Sequence, residues 1–118
     1  MSVRDNAWQM ADALSKNEIS AVELANQHYE QIQAVDKDVH AFLYLDKEGA
    51  LSQANEVDKK RAAGEKLSPL AGVPLALKDV MTQKDVPTTC GSKILENWRP
   101  PYDSTVVTKL KDAGVIIL

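Results

Sequence analysis

This chain has little of several things, and each shortage removes a class of protein. One cysteine, Cys90, stands in 118 residues, so no intrachain disulfide framework exists and a reducing compartment fits. Basic residues do not dominate: 14 Lys and Arg stand against 17 Asp and Glu, a net charge of -3, which argues against a surface that grips nucleic acid by itself. The first eight residues hold no apolar signal core and no window approaches a membrane span, so the expectation is a soluble, cytoplasmic protein without a membrane partner. The five glycines include no Walker or dinucleotide spacing, so no cofactor-binding residues are assigned. The two histidines, His28 and His40, have no second histidine, cysteine or carboxylate cluster at metal spacing, and no metal ligands are assigned.

What remains is an ordinary globular composition, 44% apolar and 26% charged. Residues 6–15 place Ala7, Met10, Ala11 and Leu14 at helical spacing. Ser20 and Glu23 then form a capping box, and Val22, Ala25, Tyr29 and Ile32 carry one apolar face to about residue 35. Residues 1–35 therefore read as a helical hairpin. Residues 39–45 are apolar or aromatic at nearly every position, which predicts a strand buried on both sides. Asp46 is placed to cap a third helix with Ala50, Leu51, Ala54 and Val57 as its buried stripe, Lys59-Lys60-Arg61 near its negative end, and Gly64 as its left-handed stop.

Leu70-Ala71-Gly72-Val73-Pro74-Leu75-Ala76-Leu77-Lys78-Asp79 is the stretch around which the rest is organised. Residues 73–78 read as a buried strand that ends on Lys78, at the strand end where open α/β sheets bind ligands. A lysine there either snorkels to water or is held by partners. Residues 81–102 show almost no periodicity, with Thr88, Thr89, Cys90 and Ser92 gathered around Gly91. Such a group of hydrogen-bonding side chains either lines a site or satisfies an irregular backbone. Cys90 lacks the glycines of a nucleophile elbow. Asp103 is then placed to cap a last helix, with Val106, Leu110 and Ala113 on one face and Gly114 closing it, before a buried strand at 115–118. Strand, irregular crossover, helix and strand predict a βαβ unit over 70–118, with 73–78 parallel to 115–118. The fold class is α/β: N-terminal helices plus the start of a mixed β-sheet flanked by helices. Residues 1–118 form a single incomplete domain, and the strand at the chain end is expected to favour self-association.

The 70–79 stretch resembles the opening motif of the amidase signature family. Val86-Pro87-Thr88-Thr89-Cys90-Gly91-Ser92 and Pro101-Tyr102-Asp103-Ser104-Thr105 resemble the branch formed by the A subunits of bacterial tRNA-dependent amidotransferases. The resemblance runs from the first helix to the final Val-Ile-Ile-Leu and implies a truncated amidase signature fold. It implies that Lys78 is the lysine of a Ser-cis-Ser-Lys triad, both serines belonging to a segment beyond Leu118. It further implies glutamine as substrate, subunits B and C as partners, tRNA held through the partner only, and ATP and magnesium at the partner subunit, with no cofactor in this chain. The fragment alone is expected to be inactive. The alternatives are another carboxamide hydrolase of the same family, or a noncatalytic module that associates with itself.

Overall fold

The computed structural model describes residues 5–118. Three helices come first: α1 (Ala7–Ser15), α2 (Ala21–Val39) and α3 (Lys47–Ala62). Local chemistry sets where each begins. The Asn6 side chain accepts from the Gln9 amide while the Gln9 side chain accepts from the Asn6 amide, and Ser20 and Glu23 repeat that exchange for α2. Asp46 accepts the Gly49 amide at the head of α3. A second acceptor reaches α2 from across the fold, since Asp58 of α3 takes the amides of Ala21 and Val22 at 2.8 and 3.1 Å. That carboxylate sits where the α2 dipole is positive.

The sheet is small and parallel. β1 (Pro74–Leu75) pairs with β2 (Ile116–Ile117), Pro74 beside Ile116 and Leu75 beside Ile117. Between them run a single 3₁₀ turn, Lys93–Leu95, and α4 (Thr105–Asp112). The parallel pairing is as expected; the strand is shorter. β1 ends at Leu75 rather than at Lys78, because among the described residues β2 is its only partner and the ladder closes with the Leu118 amide on the Leu75 carbonyl. α2 packs on α3 and on β1, and α3 on β2. The core between them is built from Leu14, Leu24, Ala21, Ala25, Ala50, Ala54 and Ile116, all without exposure. Alanines at these contacts let backbones approach closely, and each large buried side chain contributes roughly 1.5–3 kcal/mol.

Three expectations are corrected. Residues 39–45 form no strand: α2 continues to Val39, and Val39, Leu43, Tyr44 and Leu45 are exposed. Asp36 is the cause. Its carbonyl accepts the His40 amide and its carboxylate accepts the amides of Ala41 and Phe42, while His40 turns left-handed at φ 54°. A side chain thus takes amides that a sheet neighbour would have used. Second, Ser104 rather than Asp103 caps α4, its oxygen facing the Val107 amide. Asp103 instead accepts the Lys84 amide and pairs with Lys111 at 2.7 Å. Third, Val107 rather than Val106 faces the interior: Val107 is fully buried and Val106 is 48% exposed.

Candidate active site

β1 leads the chain toward an open cleft of about 300 Å³. Its walls include Lys78, Asp79, Thr88, Phe42 and Tyr44, with Ile117 and Leu118 arriving from the neighbouring strand. The irregular 41–44 segment, which follows the end of α2 at Asp36's capping bonds, forms one side, and Arg99 lies over the Tyr44 ring with 5.8 Å to its centroid. Among the described residues no serine lines it.

Lys78 stands three residues past the end of β1 and is exposed. Its ammonium makes no hydrogen bond or ion pair among the described residues, while its carbonyl accepts the Met81 amide at 2.9 Å. Asp79 is the reverse case. Its carboxylate accepts the Thr89 amide at 2.7 Å, the Thr89 hydroxyl, and the Gly91 amide at 3.2 Å; its carbonyl accepts the Cys90 amide at 3.1 Å. Burial pushes the Asp79 carboxyl up, but the Thr89 hydroxyl, the Thr89 and Gly91 amides and the charge of Lys78 together outweigh it. The group therefore titrates below its ordinary 3.8.

The polar cluster around Gly91 is accordingly used by the backbone. Thr88 is buried and closes its own turn onto the Val86 carbonyl, Ser92 accepts the Ile94 amide at the head of the 3₁₀ turn, and Thr89 serves Asp79. Cys90 is exposed at φ 51°. His28 lies 2.8 Å from the Leu24 carbonyl on its own helix, and His40 terminates that helix. Among the described residues no group of three or more His, Cys, Asp or Glu side chains could hold a metal ion. No helix among the described residues is long and apolar enough to cross a membrane. The role of Asp79 was missed in the sequence because its partners stand ten to twelve positions away; the donor-rich Thr-Thr-Cys-Gly run was the available signal. Chemically, the cleft offers a primary amine at its rim, a carboxylate already occupied by donors, and an apolar wall.

The amidase family matches residues 23–118. The chain belongs to the amidase family. It is 58% identical over 116 residues to the A subunit of the glutamyl-tRNA(Gln) amidotransferase of Acidothermus cellulolyticus, covering 98% of this chain and 23% of that protein. Against the corresponding protein of Streptomyces coelicolor the identity is 55%, with the same coverage. This amidase chain thus spans about a quarter of the length of the curated relatives it matches, in their N-terminal part. Among solved structures it is similar to native peptide amidase from Stenotrophomonas maltophilia, at 29% identity and a TM-score of 0.90 over 98% of this chain and 24% of that one. A bacterial aryl acylamidase of the amidase signature family, 24% identical with a TM-score of 0.89 over 97% of this chain and 24% of that one, shares the fold. The amidase chain has the α/β amidase signature fold.

Proposed function

We propose that this chain is the N-terminal portion of the A subunit of a glutamine-dependent tRNA amidotransferase, and that Lys78 is the general base of its glutaminase site. The identity of 58% across nearly the whole chain to such a protein carries this reading. Residues 1–118 are then one incomplete domain, in which the N-terminal helices precede the βαβ unit over 70–118 that bears the lysine.

A Ser-cis-Ser-Lys triad completes the chemistry, both serines coming from the part of the subunit outside this chain. Lys78 accepts the proton of the bridging serine, which activates the nucleophilic serine against the glutamine carboxamide. Ammonia leaves, an acyl-enzyme forms, and water releases glutamate. To take that proton the amine must be in its neutral form, with its lone pair free. Subunits B and C are the partners. Ammonia passes to the subunit that activates glutamyl-tRNA with ATP and magnesium, in the cytoplasm, to make glutaminyl-tRNA for protein biosynthesis. The residues of this chain offer neither a phosphate-cradling glycine loop nor, among those described, a metal-ligating cluster, and its acidic balance leaves tRNA to the partner.

A second reading within the family, hydrolysis of another carboxamide, is favoured by the peptide amidase and aryl acylamidase folds alone. Lys78→Ala in the complete subunit with its partners decides the lysine's part. Ammonia release from glutamine should fall by roughly 10²–10⁴-fold, while glutamyl-tRNA and ATP still bind and stability moves by no more than about 0.5 kcal/mol, as for an exposed side chain. A near-normal glutaminase rate in that variant removes Lys78 from the mechanism. Turnover of other amides in preference to glutamine moves the assignment to the second reading.

A further inference from the structure

Asp79 places three acceptor oxygens against four donors from three consecutive residues: the Thr89 amide and hydroxyl, the Cys90 amide and the Gly91 amide. Those donors converge because Cys90 and Gly91 are both left-handed, at φ 51° and 66°. The turn thus aims its amides at one residue: the Asp79 carboxylate takes those of Thr89 and Gly91, and the Asp79 carbonyl takes that of Cys90 between them.

The consequence falls on the preceding residue. The Lys78 carbonyl is held by the Met81 amide and the Asp79 carbonyl by the Cys90 amide, so the backbone on both sides of the Lys78–Asp79 peptide is fixed while the Lys78 side chain stays free. Asp79 adjoins the lysine in the chain and lowers its own pKa partly through that charge, and its donors spread the carboxylate charge toward residues 89–91.

We propose that Asp79 is a positioning residue for the amide hydrolysis: it ties residues 89–91 to the strand exit and so fixes where Lys78 enters the cleft. This rests on the reading of Lys78 as the base. Without the tie, the lysine's backbone would sample more positions and the amine would spend less time in line with the serine it serves. A misplacement of about 1 Å lowers catalysis on the order of 10²-fold, whereas substrate contacts made elsewhere are untouched.

The test uses the complete subunit with its partners and glutamine as substrate. Asp79→Asn keeps the side chain's size but swaps one acceptor oxygen for a donor facing donors. We expect kcat to fall at least tenfold with KM within twofold, and amide hydrogen exchange in the 86–92 segment to speed up at least threefold. Thr89→Val, which keeps the shape and loses the hydroxyl, should fall in the same direction, and Thr89→Ser, which restores that donor, should return kcat and exchange to within threefold of the parent. The Thr89 pair decides the matter even where Asp79→Asn folds poorly. Parental kcat in Asp79→Asn, a fall in kcat with unchanged exchange at 86–92, or equal impairment of Thr89→Ser and Thr89→Val overturns the proposal. Absence of ammonia release by the parent itself is a different result: it defeats the functional reading, while the exchange measurement still decides whether Asp79 ties the segment.

Discussion

The amide of Gly72 donates to the carbonyl of Gly114 at 2.8 Å, joining the entrances of the two strands just before their ladder begins. Both residues are left-handed, at φ 94° and 76°. A Cβ on Gly114 would stand 3.0 Å from the Cβ and 3.2 Å from the Cα of Ala71, whose carbonyl is meanwhile held by Arg61 of α3 at 2.9 Å. Gly64 has the same φ of 76° with nothing within 4 Å of such an atom. Gly64→Ala should therefore show the conformational penalty alone, on the order of 1 kcal/mol. Gly114→Ala adds the collision with Ala71 and should be destabilised by about 2 kcal/mol or more. Urea denaturation of the two variants isolates the contact; equal losses would mean that Ala71 moves aside freely.

Asp58 should matter more to α2 than its place on another helix suggests. Asp58→Ala leaves the amides of Ala21 and Val22 without their acceptor and is expected to lower stability by about 1–2 kcal/mol. Asp58→Asn, which keeps one acceptor oxygen, should lose roughly half as much. Thermal melts followed at the helix band read both, and a loss confined to α3 would contradict the assignment.

Tyr29 predicts an alkaline transition. Burial, with the charge of Asp46 adding to it, pushes its hydroxyl up to about 12 from 10.0, and that hydroxyl is buried without a hydrogen-bond partner among the described residues. A raised folded value means that the stabilisation is complete below 10.0, where both states hold the proton, and drains away as pH climbs toward 12. Tyr29→Phe should fold as well or better, by up to about 1 kcal/mol, and should lose less stability over that interval. Denaturation midpoints on either side of it give the answer; identical alkaline profiles would place the titrating group elsewhere.

At the acid end Asp103 behaves in the opposite sense. Burial pushes its carboxyl up, but the hydrogen bond from Lys111, the Lys84 amide and both lysine charges hold it below its ordinary 3.8. A lowered folded value contributes stability above 3.8 that is lost as pH falls through the folded value. Asp103→Asn should accordingly be weaker than the parent near neutrality, and the gap should close as pH falls below the ordinary 3.8 and through the lowered folded value. A gap that stays constant would show that shape, not charge, is what Asp103 supplies.

How far the sequence could be read depended on the range of the interaction. The start of α2 was legible because Ser20 and Glu23 satisfy it within one turn, and the parallel pairing followed from the apolar runs beside Gly72 and Gly114. The 39–45 stretch failed because a nearly continuous apolar run is compatible with a strand buried on both sides, and only the reach of Asp36 to two amides five and six positions ahead shows that no sheet neighbour is needed. The α4 register failed by a single residue, Asp103 and Ser104 both being good caps. Around Lys78 the apolar run with a lysine at its exit was visible, but the tie between Asp79 and residues 89–91 depends on two left-handed residues that no local pattern announces.

Pro74 and Ile116 lie side by side although about 40 residues separate them along the chain, and that separation has a cost in time. The helices form from local bonds in microseconds, whereas the strand pair must wait for the closure of a long connection. On a ribosome adding 5–20 residues per second, the second strand follows the first by roughly 2–8 s. Throughout that interval the apolar edge of residues 73–75 has no neighbour from its own sheet, and α2, already complete and packed against β1 in the finished fold, is the element placed to shield it from other nascent chains.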